Sequence, residues 1–231
     1  MGGGENEGQN GSGHTYRFNQ MFGAHANIPT FLLNQHKVDT PQDAENYIAR
    51  LRGIEGKLAQ IVENSKQSAD AGILPPKFVY THVLRDIDNI MSGAPFEDTD
   101  KLNLMLADFQ KKTETLGLSV ETREDLYTRA IAALQDYVQP AYAEVKTELL
   151  RQQEMATEDG GAWKLPSGAE YYAYRLRQMT TTDMTPTDIH DLGLAETNRI
   201  HAEMRVIMKK VGFEGTLNAF FEFMRTDPQF Y

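Results

Sequence analysis

The sequence predicts an all-α fold, an irregular multi-helix array with one long kinked helix, and three observations carry that expectation. Apolar residues recur at the three- and four-residue spacing of an amphipathic helix along most of the chain. Thr40-Pro41-Gln42-Asp43 and Thr185-Pro186-Thr187-Asp188 spell the same helix start. Each has a hydroxyl at the N-cap, proline at the first helical position and a carboxylate at the third, where exposed N–H groups and the helix dipole favour it. No segment sustains the alternation of a half-buried strand.

The elements follow in order. Between Tyr16 and Val38 the reading is an irregular aromatic-rich arm in which Pro29 breaks any long helix and His25 and His36 are exposed or packing residues. His14, just before it, is read the same way. Thr40 opens a helix through Tyr47, Ile48, Leu51, Leu58 and Val62 to about Ala69, with Gly53 and Gly56 marking a tight crossing. Pro75-Pro76 sets up a helix over 77–91, with His82 near its apolar face, and another runs over 101–116. Ser119 starts the longest helix, to about Met155, and Pro140 predicts a bend or break near Gln139. Thr157 to Gly161 is the clearest linker.

Beyond that linker the sequence is densest in information. Pro166-Ser167-Gly168 is a turn from which Ser167 can cap a helix over 169–179, carrying Tyr171, Tyr172, Tyr174, Arg175 and Arg177. Thr180-Thr181-Thr182 ends it, because hydroxyl side chains compete for backbone hydrogen bonds. Thr185 then opens an amphipathic helix to about Lys210, with Gly212 as its stop, and a short helix covers 216–224.

With 231 residues, 40% hydrophobic and 24% charged, the chain can bury a sizeable core and is not composed like a disordered one. A net charge of -10 argues against nucleic-acid partners, which need a basic face to displace phosphate counterions. The absence of cysteine excludes disulfides and thiolate metal sites. Residues 1–15 read as a disordered tether, leaving a helical region over 16–231 with a sub-boundary near 157–168. Such a tether fits a cloning remnant, a ragged chain end, or the linker after the lipidated cysteine of a bacterial lipoprotein. The last implies a lost lipid anchor and a periplasmic or cell-envelope location; otherwise a cytoplasmic one stays open.

The motifs Pro166 to Tyr172, Leu176 to Leu194 and Arg225 to Tyr231, with Tyr47 to Leu51 and Gly72 to Pro76 upstream, occur in the order of a known family. On them the chain resembles the bacterial domain-of-unknown-function family 885. The resemblance implies a membership similar to helical zinc peptidases of the gluzincin type. It also implies that this chain is the N-terminal portion of a longer protein and part of a larger helical peptidase-like fold, with the metal motif downstream. Zinc is then expected in the full-length protein and no cofactor in these residues, which would be inactive alone.

The histidines agree with that expectation: none is followed by glutamate, and His190 and His201 on one helix stand about 16 Å apart, too far to share one ion. No catalytic or metal residue is assigned. Tyr171, Arg175 and His190 are the candidates to face a peptide-like substrate, against ordinary roles in packing, ion pairing and hydrogen bonding. The partners expected are that substrate, the protein's own C-terminal region and, for this portion alone, a second copy. The contrasting reading is a non-catalytic helical binding or scaffold module of the cell envelope.

Overall fold

A computed structural model describes residues 16–231; the expected tether and His14 lie outside them. Among the described residues the regular structure is helical, with one isolated bridge between Ala94 and Leu102. The elements are α1 (Ala24–Asn34), α2 (Pro41–Asp70), α3 (Lys77–Ile90), α4 (Leu104–Glu114), α5 (Val120–Ala133), α6 (Gln139–Met155), α7 (Gly168–Thr180), α8 (Pro186–Lys210) and α9 (Leu217–Thr226). The all-α class is thus the observed one. Two compact units divide the chain, the first up to Tyr171 and the second Tyr172–Tyr231.

In the first unit α2 is the central element, touching α1, α4, α5 and α6. Its capping box forms as the sequence spells it: the Asp43 N–H donates to Thr40 Oγ1 at 3.3 Å and the Thr40 N–H donates to Asp43 Oδ2 at 2.9 Å. Tyr47, Ile48, Leu51, Ile54, Leu58 and Val62 recur on one stripe and are all buried. Burying a large aliphatic side chain contributes about 1.5–3 kcal/mol, so this stripe outweighs the propensity cost of Gly53 and Gly56. No tight crossing occurs at either glycine. Both are exposed, and nothing lies within 4 Å of where a Cβ would stand.

The arm before α2 is not irregular throughout. It forms α1, with Pro29 inside it. Proline lacks the N–H that would bond the carbonyl four residues back, and here the buried Tyr142 hydroxyl donates to the His25 carbonyl at 2.7 Å instead. Lys112 pins the same helix from α4, donating to the carbonyls of Leu32 at 2.9 Å and Leu33 at 3.1 Å.

α4 begins at Leu104 rather than near Lys101, because the fully buried Asn103 is its cap. The Asn103 side chain donates to the carbonyls of Ile90 at 2.7 Å and Ser92 at 3.0 Å and accepts from the Met105 N–H at 3.0 Å. The long helix expected from Ser119 is interrupted as Pro140 predicts. Leu134–Val138 form a π turn, and the Gln139 N–H reaches back to the Leu134 carbonyl before α6 continues.

Glu148 is a buried carboxylate in α6, only 4% exposed. Burial alone would push its pKa up. Hydrogen bonds from Arg151 Nη2 at 2.7 Å and Gln152 Nε2 at 2.6 Å outweigh that and hold it below the usual range.

The second unit has a small core of Met208, Leu217 and Phe220, flanked by Met204, Phe213, Phe221 and Phe223. α8 ends at Gly212, whose φ of 72° suits glycine. The Phe213 N–H bonds the Met208 carbonyl at 3.1 Å and the Gly212 N–H bonds Lys209 at 3.1 Å, the paired closure of a Schellman motif.

Candidate functional site

Two helices deliver the residues that the sequence singles out. Gly168 opens α7 where a side chain has no room, since a Cβ there would collide with the Ala162 carbonyl. The Tyr171 N–H bonds the Ser167 carbonyl at 2.9 Å, so the helix starts at the expected turn. It ends at Thr180, whose hydroxyl donates to the Leu176 carbonyl at 2.8 Å, while Thr181 takes a φ of 56°.

Tyr171 and Arg175 are four residues apart on α7 and so share a helical face. Tyr171 is half-buried; burial, and after it the charge of Tyr171, raises the Tyr16 phenol above its ordinary pKa. Arg175 is exposed and donates from Nη1 to Gln178 Oε1 at 3.1 Å; the Gln178 amide donates in turn to the Tyr174 hydroxyl.

α8 starts on the second capping box, with the Asp188 N–H on Thr185 Oγ1 at 3.2 Å and the Thr185 N–H on Asp188 Oδ2 at 3.0 Å. The Thr185 hydrogen bonds hold the Asp188 carboxyl below its ordinary pKa. His190 follows in the first turns and is exposed; among the described residues it shares no hydrogen bond or ion pair with Arg175. The three candidates therefore offer recognition rather than bond-making: a phenol edge, a guanidinium and an imidazole, with no nucleophile poised against a base.

α8 is amphipathic as expected, yet its apolar stripe is uncovered: Leu192, Ile200, Ile207 and, just past its end, Val211 are 40–62% exposed.

The remaining histidines do not converge either. His25 and His36 are buried in packing around α1 and α2, and His82 is half-buried with its ring edge-on to Phe78. His190 and His201 both lie on the unbroken α8, about 16 Å apart by its rise. Among the described residues no group of three or more His, Asp or Glu side chains is placed to hold a metal ion. These residues do not fit a zinc centre.

One recess escaped the sequence reading. In the first unit α1 and α2 diverge around a groove of about 650 Å³. α1 contributes Ile28, Phe31 and Leu32, and α2 contributes Gly53, Ile54 and Ile61. Arg17, Arg50 and Lys57 are the charged residues of its lining. The signal was present, because Arg50, Gly53, Ile54 and Lys57 fall on one face of α2 at helical spacing. Gly53 read as a packing contact when it marks an opening.

Comparison with known proteins gives three findings. The family model described as "Bacterial protein of unknown function (DUF885)" matches residues 3–231. No curated protein matches the chain. Among solved structures, "the putative lipoprotein from Colwellia psychrerythraea" superposes with a TM-score of 0.76 at 27% identity, over 93% of this chain and 36% of that one.

Proposed function

This chain belongs to the bacterial family DUF885, and from that membership we propose that it is the N-terminal helical portion of a zinc-dependent, peptidase-like hydrolase. The observation that carries the reading is extent: nearly all of this chain matches 36% of a longer solved relative. The resemblance to gluzincin-type peptidases supplies the chemistry, with zinc held by residues of the longer protein. No hydrolytic step is assigned to the residues present, since they do not fit the ion.

Their role is to bind and orient. Arg175 pairs a substrate carboxylate through its planar fork, Tyr171 packs an apolar group beneath a hydroxyl, and His190 positions the chain between them. The exposed α8 stripe supports an arrangement in which the protein's own C-terminal region covers this helix, because uncovered apolar patches seek partners. Without that cover, the same stripe drives self-association.

The test uses the full-length protein. It should bind zinc stoichiometrically and hydrolyse a peptide library, and a chelator should abolish turnover. Residues 1–231 alone should do neither. A full-length protein that holds no zinc and cleaves nothing overturns the reading and leaves a non-catalytic helical module of the envelope. Envelope location is part of the proposal, supported by the lipoprotein description of the solved relative. Labelling the full reading frame in cells with a radioactive fatty acid checks it, and unlabelled protein counts against it.

A further inference from the structure

The groove between α1 and α2 is independent of the hydrolase reading, and its chemistry is one-sided. Its walls are mostly apolar, with Asn27 their one uncharged polar side chain, and Gly53 leaves them open, with nothing within 4 Å of where a Cβ would stand. Its charged lining, Arg17, Arg50 and Lys57, is all cationic in a chain of net charge -10. Among the described residues none of the three forms an ion pair with a carboxylate. Three cations without a carboxylate partner thus surround a mostly apolar recess.

The guanidinium of Arg50 is also held in place. It lies 5.1 Å from the Phe31 ring centroid and donates from Nη1 to His36 Nδ1 at 2.7 Å. Five N–H donors serve that one acceptor, so the rest of the fork is available beside the apolar wall. A volume of about 650 Å³ falls within the ~300–1,000 Å³ of sites that enclose one small ligand.

We propose that this groove binds a single-chain amphiphile with an anionic head, a long-chain carboxylate. Its chain lies along Ile28, Phe31 and Ile54, and its carboxylate meets Arg50 and Lys57, with Arg17 adding to the field. Apolar walls select against a bare anion, and the cations select against an amphiphile of opposite sign.

Calorimetric titration of the 231-residue chain with monomeric decanoate tests this. Saturable binding of one decanoate per chain is expected, while acetate and decyltrimethylammonium give none. Replacing both cations, Arg50→Gln with Lys57→Gln, should weaken decanoate by about a hundred-fold, the loss of two charge-assisted contacts. Glutamine at position 50 keeps an amide donor for His36. Gly53→Leu should block the groove, and because it replaces a helical glycine that touches nothing, it should leave helicity and melting intact. Decyltrimethylammonium binding as tightly as decanoate, full affinity in Gly53→Leu, or binding only to phosphatidylglycerol vesicles or to an acidic peptide would each overturn the assignment.

Discussion

His36 shows how one side chain in the α1–α2 connection can anchor it to α2 and hold a charge in place. Arginine cannot accept, so the 2.7 Å contact from Arg50 makes Nδ1 the acceptor. The Nε2–H then donates to the Asp43 carbonyl at 3.0 Å. That tautomer is neutral. Burial lowers the ring's pKa, the Arg50 and Lys112 charges add to this, and the Asp43 hydrogen bond and charge only partly oppose it. A histidine with a depressed folded-state pKa contributes stability that is complete above its unfolded value, about 6.5, and is lost as pH falls below it. The unfolding midpoint should therefore drop between pH 7.5 and 5.5. Part of that drop belongs to His25, which burial shifts the same way. His36→Gln, which keeps an acceptor but cannot titrate there, should flatten the profile without abolishing it. An NMR titration placing the His36 midpoint above 6.5 would contradict the assignment.

Among the elements, the capped helices were legible and the tied ones were not. Thr40 and Thr185 announce α2 and α8 because cap and carboxylate lie within three residues of each other, and the structure forms both boxes. Pro140 announces the π turn for the same local reason. α1 is different: the proline that reads as a breaker sits inside the helix, and the group that replaces its missing donor, Tyr142, is 117 residues from His25. The groove was missed for a like reason: Arg50, Gly53, Ile54 and Lys57 share a face of α2, but Gly53 signals close packing or open space equally well until α1 is placed. Removing the hydroxyl in Tyr142→Phe should leave the His25 carbonyl buried without a donor, at about 1–3 kcal/mol. Pro29→Ala restores the backbone N–H four residues on, so the same substitution should cost less in that background. Chemical denaturation of the four proteins in the cycle measures the coupling, and strict additivity would show that the hydroxyl does not substitute for the missing donor.

At the scale of the whole molecule the two units differ most in how much they bury. The first is organised around α2, whose stripe of buried aliphatic and aromatic side chains continues into α3, α4, α5 and α6. The second closes on Met208, Leu217 and Phe220, while the apolar face of α8 remains exposed along much of its length. Surface removed from water scales the free energy that resists opening, so the two should not unfold together. The periodicity of α8 was readable from the sequence, but what covers a helix face is a property of neighbours that local spacing does not encode. Hydrogen exchange read by mass spectrometry gives the last test. Amides in peptides from α8 should exchange roughly a hundred-fold faster than those from the middle of α2, a gap of about 3 kcal/mol in opening free energy. Equal protection of α8 and α2 in residues 1–231 would mean that the small core of the second unit closes as firmly as the large one, against the burial that distinguishes them.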